Sequence, residues 1–191
     1  MEALWTSAGI VALAEIGDKT QLLAIVLAAR FRAPVPIILG ILCATLLNHA
    51  AAASLGFIIA GWLSGQAFQL VIGAAFIVMA AWALIPDKED ERAARTNAGS
   101  VFLTTLAAFF LVEIGDKTQI ATSLLAARFQ DIALVTIGTT FGMMAANAPA
   151  VLLGEAVTKI VPLTYVRASA ALLMAATGVW VIVATLCGSA A

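Results

Sequence analysis

The chain has 191 residues, of which 63% are hydrophobic and only 11% charged, and its mean hydropathy is +1.06. A soluble domain carries about 25% charged residues and an apolar fraction near half, so a water-soluble globule is excluded. The net charge of −1 says nothing about nucleic acid, but no basic stripe or stacking platform is visible, and Cys43 and Cys187 lie in apolar runs as small hydrophobes with no disulfide framework.

Six apolar segments follow in chain order: Ala3–Ala29, Pro34–Leu63, Phe68–Ile85, Val101–Ala127, Ile132–Thr158 and Tyr165–Cys187. Each is a continuous run of about the length that crosses a ~30 Å hydrocarbon core. Short alternating segments, the mark of a membrane β-barrel, do not occur. Met1-Glu2 leads straight into the first run without a basic flank, so that run is expected to be a retained span and not a signal peptide. Runs of Gly and Ala such as Leu39–Gly61 suit close helix packing in lipid. The predicted fold is all-α: a polytopic membrane protein of six transmembrane helices.

The polar stretch Pro86–Ser100, with DKEDER inside it, reads as a solvated linker between residues 1–85 and 101–191, the weaker alternative being a cation sensor on its acids. Arg30, Arg32, Lys88, Arg92, Arg95, Lys159 and Arg167 fall on one side of the predicted spans and Arg128 alone on the other. The positive-inside rule makes the first side cytoplasmic. Both termini are then extracytoplasmic and the linker cytoplasmic.

The sequence EIGDKTQ occurs at Glu15–Gln21 and again, 98 residues later, at Glu113–Gln119. At the same offset Ala28-Ala29-Arg30-Phe31 falls on Ala126-Ala127-Arg128-Phe129, Gly40 on Gly138 and Gly56 on Gly154. This is an internal duplication. Three spans per half is an odd number, so the two three-helix repeats are expected to be inverted, with a substrate site near the midplane.

Glu15 lies about twelve residues into the first run, ~18 Å deep. On a continuous helix Glu15 and Asp18 share a face, and Glu15 and Lys19 are spaced for an ion pair; Glu113, Asp116 and Lys117 repeat the pattern. Gly17 and Gly115 stand between the acids, where a helix can break. A central charge costs roughly 2.5–3.5 kcal/mol to insert, so six cost on the order of 15–20 kcal/mol before pairing. A buried ion-pair network that fixes the bundle is the bland reading. The functional one is that four carboxylates, Glu15, Asp18, Glu113 and Asp116, converge on a cation or proton site. With Thr20, Gln21, Thr118 and Gln119 nearby, the donors are hard oxygens suited to Mn²⁺, Ca²⁺ or Mg²⁺. GDKT is not a P-loop, because G-x-x-x-x-G-K-[ST] is absent.

Asn48 and the lone histidine, His49, lie inside the second run, and the 98-residue offset puts His49 on Asn147. Two readings stand for these three: interhelical hydrogen bonding, or a proton relay or supporting role beside the acids. Pro149 suggests a kink in the fifth run. Met143 and Met144 read first as packing, with thioether selectivity for Mn²⁺ over Ca²⁺ as the alternative. Glu155 reads as interfacial or as part of a vestibule. Trp5, Trp62, Trp82 and Trp180 read as interface anchors with no transport role.

The doubled E-x-G-D-[KR]-[TS] motif in a small six-span chain resembles the MneA-type bacterial manganese exporters and the Golgi cation/proton exchangers related to them. The resemblance covers nearly the whole chain, and neither motif copy departs from the pattern. It implies a transporter and not an enzyme, with no cofactor. The cargo is Mn²⁺ or Ca²⁺, exchanged for protons across a bacterial inner membrane. Glu15, Asp18, Glu113 and Asp116 would bind the ion, and Lys19, Thr20, Lys117 and Thr118 would complete the motifs. A passive cation channel and an intramembrane hydrolase using paired carboxylates are the rival expectations.

Overall fold

A computed structural model describes residues 1–63, 65–85, 99–154 and 163–188. Most of the linker, with Lys88, Arg92 and Arg95, lies outside the described residues, as do Glu155 and Lys159. Eight helices run through the described residues: α1 (Glu2–Glu15), α2 (Lys19–Phe31), α3 (Pro34–Trp62), α4 (Gln66–Ala83), α5 (Val101–Glu113), α6 (Lys117–Phe129), α7 (Ile132–Leu153) and α8 (Leu163–Leu186). Four stretches of these are long and apolar enough to cross a membrane: Pro34–Trp62, Gln66–Ala83, Ile132–Leu153 and Thr164–Leu186. Their bounds follow the predicted runs closely, and the chain is an integral membrane protein.

The other two predicted runs are not continuous helices. Each breaks inside its motif. Ile16 takes φ −64°, ψ 117° and Gly17 takes φ 79°, while the Asp18 N–H donates to the Glu15 carbonyl at 3.0 Å. Those are the features of a type II β-turn, whose third residue needs positive φ and so favours glycine. The second copy repeats it, with Ile114 at φ −61°, ψ 119°, Gly115 at φ 74° and the Asp116 N–H on the Glu113 carbonyl at 3.0 Å. The motif glutamine holds the turn: Gln21 Oε1 accepts from the Gly17 N–H at 2.8 Å, and Gln119 Oε1 from the Gly115 N–H at 2.6 Å. A glutamine near the start of a helix reaching back to a free N–H is the logic of a capping box. The EIGDKTQ string is therefore a helix end, a turn and a helix start.

The broken pair of each half packs on the middle helix of the other half. α7 carries α1 and α2, α3 carries α5 and α6, and α3 and α7 also meet. Small residues permit the approach. A Cβ on Gly138 would stand 2.5 Å from the Leu4 carbonyl oxygen, and one on Gly142 would stand 2.4 Å from that of Ala8. One on Gly40 would meet the Phe102 carbonyl at 2.9 Å, the counterpart contact 98 residues on. α4 and α8 pack together through Gly73 and Gly178, each close to the other's backbone. Two apolar clusters fill the bundle, one around Phe76, Leu125 and Met174, the other around Leu27, Ile41 and Phe109. The polar motif residues lie between them in sequence, and all but Lys19 and Gln119 are buried as well.

Candidate cation site

The turn places each glutamate on the last residue of one helix and each aspartate just before the next. A helix end leaves carbonyls without intrahelical partners, and a helix start leaves N–H groups likewise. The break thus brings cation-attracting carbonyls and a carboxylate to one depth, an arrangement that discontinuous membrane helices use at ion sites. Glu15 and Glu113 are both completely buried. Asp18, Asp116 and Glu113 all lie within electrostatic reach of Glu15.

Each glutamate is held from the opposite half. Asn147 of α7 donates its amide to Glu15 Oε1 at 3.0 Å. Asn48 of α3 donates to Glu113 Oε2 at 2.9 Å, and Thr45 donates its hydroxyl to Glu113 Oε1 at 2.8 Å. Asn48 also donates to the Phe110 carbonyl at 3.1 Å. The two carboxamides are 99 residues apart, one more than the repeat offset, so His49 and not Asn48 occupies the position matching Asn147. His49 is fully buried with no hydrogen-bond partner at either ring nitrogen.

The expected Glu15–Lys19 pair does not form. The break at Gly17 rotates Lys19 off the face of Glu15, and its Nζ lies 2.9 Å from Asp116 Oδ1 in the other half. Asp116 has this partner and the Thr118 hydroxyl at 3.1 Å. Lys117 donates to the Ile85 carbonyl at 2.7 Å and sits 5.8 Å from the Trp82 ring centroid. Trp82, read as an interface anchor, is half-buried against the first apolar cluster and serves a motif lysine. Trp5, Trp62 and Trp180 are exposed on the bundle's outside.

Among the described residues no three His, Cys, Asp or Glu side chains stand close enough to hold one ion together. What stands ready is oxygen without donors. Glu15 Oε2, Asn147 Oδ1 and Thr20 Oγ1 are buried with no hydrogen-bond partner. Gln21 donates to the Ala146 carbonyl at 3.1 Å, tying α2 to α7 beside Asn147. Thr118 and Gln119 stay within their own copy.

Sequence reasoning missed Thr45, Trp82 and the tie from Lys19 to Asp116. Thr45 carried a faint signal, one residue type in place of Met143 at the repeat offset. Removing a donor from a buried acceptor costs about 1–3 kcal/mol. Asn48→Leu is expected to lower stability by about that much, because Glu113 would keep only Thr45. A thermal melt of the purified protein in detergent checks it, and an unchanged Tm would refute it.

Comparison with known proteins gives the class. The profile of the family described as "Divalent cation/proton antiporter GDT1" matches residues 3–91 and 101–188. The chain belongs to this family, whose members are transporters and not enzymes, which sets the hydrolase alternative aside. A relative in Vibrio cholerae serotype O1 (strain ATCC 39541 / Classical Ogawa 395 / O395), named "Putative manganese exporter", is 49% identical over 168 residues, covering 87% of this chain and 84% of its own length. No solved structure matches significantly.

Proposed function

We propose that the chain exports Mn²⁺, with Ca²⁺ as a second cargo, across the bacterial inner membrane in exchange for protons. Residues 1–85 and 101–191 act as inverted three-span halves. In each, the broken pair counts as one span, and residues 86–100 link them on the cytoplasmic side. Both termini face outward. The 4.0 Å approach of Arg128 to Glu2 fits that assignment, which puts Arg128 on the side of the N-terminus.

The observation that carries the reading is the reciprocal hold on the two glutamates, Asn147 on Glu15 and Asn48 on Glu113. Each acid belongs to one half and its partner to the other, so a relative movement of the halves remakes both environments at once. That is what alternating access requires of inverted repeats. Cytoplasmic Mn²⁺ binds at Glu15 and Glu113, with Asp18 and Asp116 at the adjoining helix starts, the halves rock, and protons take the ion's place. The Lys19–Asp116 pair tethers the halves in the present state. Moving a dication out against 100 mV costs about 4.6 kcal/mol, at about 2.3 per charge. Inward protons offset that cost.

The test is Mn²⁺ flux in liposomes holding the purified protein, with and without a pH gradient, reading lumenal pH at the same time. Mn²⁺ moving against protons is the expected result. Flux indifferent to pH would make the protein a channel or uniporter, and no divalent flux from folded protein would defeat the proposal.

A further inference from the structure

Resting on the exporter reading, the surroundings of Glu15 bear on which dication is carried. The two motif copies are identical, but the middle helices facing them are not. Opposite Glu113, both carboxylate oxygens are met by donors, Thr45 and Asn48. Opposite Glu15, the residue at the position of Thr45 is Met143. Its Sδ lies 3.1 Å from Asn147 Nδ2, the nitrogen that also donates to Glu15 Oε1 at 3.0 Å and to the Met143 carbonyl at 3.1 Å. Sulfur and carboxylate thus share one amide. The remaining oxygens of that pair of groups, Glu15 Oε2 and Asn147 Oδ1, are buried and have no hydrogen-bond partner.

Met143 is fully buried with its sulfur against the amide that holds Glu15, whereas its neighbour Met144 packs against the second apolar cluster. We infer that Met143 is a specificity-determining residue, whose thioether joins Glu15 and Asn147 in a mixed oxygen–sulfur subsite favouring transition-metal dications over Ca²⁺ and Mg²⁺. Ca²⁺ and Mg²⁺ take oxygen shells and gain little from a soft donor. Mn²⁺ is less penalised by exchanging an oxygen for sulfur, and the softer Cd²⁺ gains the most. On this inference the donors are all oxygen in the Glu113 half and mixed in the Glu15 half.

Two measurements test it. In proteoliposomes Met143→Leu, close in volume and lacking sulfur, is expected to lower the Mn²⁺-to-Ca²⁺ preference on the order of tenfold. Cd²⁺ should lose more of its power to block Mn²⁺ flux, and Met144→Leu should alter neither quantity. An unchanged preference in a folded, transporting Met143→Leu protein overturns the inference. Cadmium-edge X-ray absorption on otherwise unaltered, selenomethionine-labelled protein is independent of any variant's folding. Selenium in the cadmium shell supports the subsite, and a shell of light atoms only overturns it. If the native protein moves no dication, the exporter reading fails, and the absorption result still says whether the sulfur meets a metal.

Discussion

Glu15→Gln and Glu113→Gln are each expected to cut Mn²⁺ transport by on the order of a hundredfold or more while the protein remains folded. Unit charges 4 Å apart interact by about 4 kcal/mol at an effective dielectric near 20, and a dication doubles this. If a third of that survives desolvation and solvent, the loss is on the order of a hundredfold in affinity. Folding is spared because glutamine keeps the shape and the hydrogen bonds. At position 113 its oxygen accepts from Asn48 and its amide donates to the Thr45 hydroxyl, the two groups that now hold Glu113. At position 15 its oxygen still accepts from Asn147, and one buried charge disappears. The melting temperature of either variant should therefore be at least that of the parent, with flux lost. The pair of results separates this reading from a buried ionic network that merely fixes the bundle, where the penalty would appear in the melt. Retained coupled flux in either variant would show that one half alone carries the ion.

The duplication explains how much of this was open to sequence reading. Four of the apolar runs became helices close to their predicted bounds, because length and hydropathy alone decide such segments in a membrane. Gly17 and Gly115 marked the breaks, since a type II turn needs positive φ where glycine costs least. The Lys19 pairing was misread for the same reason. The rule that residues four apart face each other holds only on an unbroken helix, and the turn cancels it. The hold of Asn147 on Glu15 spans 132 residues and that of Asn48 on Glu113 spans 65. Local spacing says nothing about which half packs on which. The one-residue displacement between the two asparagines hid the correspondence further, because strict alignment at 98 pairs Asn147 with His49.

Gly56→Ala is expected to be among the most damaging small substitutions in the chain, and Gly61→Ala, five residues along the same helix, close to harmless. A Cβ on Gly56 would stand 2.0 Å from the Ser123 carbonyl oxygen, 2.7 Å from its carbon and 2.9 Å from its Cα. All three are backbone atoms, so no side chain can swing aside, and α3 and α6 must separate. The Ser123 hydroxyl donates to the Ala52 carbonyl at 2.9 Å across the same contact, and separation strains that bond too. Overpacking of this kind costs typically 1–3 kcal/mol, and more where the backbone must move. A Cβ on Gly61 meets nothing within 4 Å, and a helical Gly→Ala change there should be neutral or gain up to about 1 kcal/mol. α6 begins at the second motif and α3 bears Asn48, so Gly56→Ala should also depress transport, through displaced helices and with the motif intact. The duplication does not protect against it. A Cβ on Gly154, the counterpart of Gly56, would meet nothing within 4 Å among the described residues, and that glycine instead ends α7 at φ 62°. The same glycine in the two halves thus serves helix contact in one and a helix end in the other. Melts of the two variants beside the parent would decide the matter, and a Gly56→Ala protein as stable as the parent would mean that α3 and α6 are not in backbone contact at Ser123.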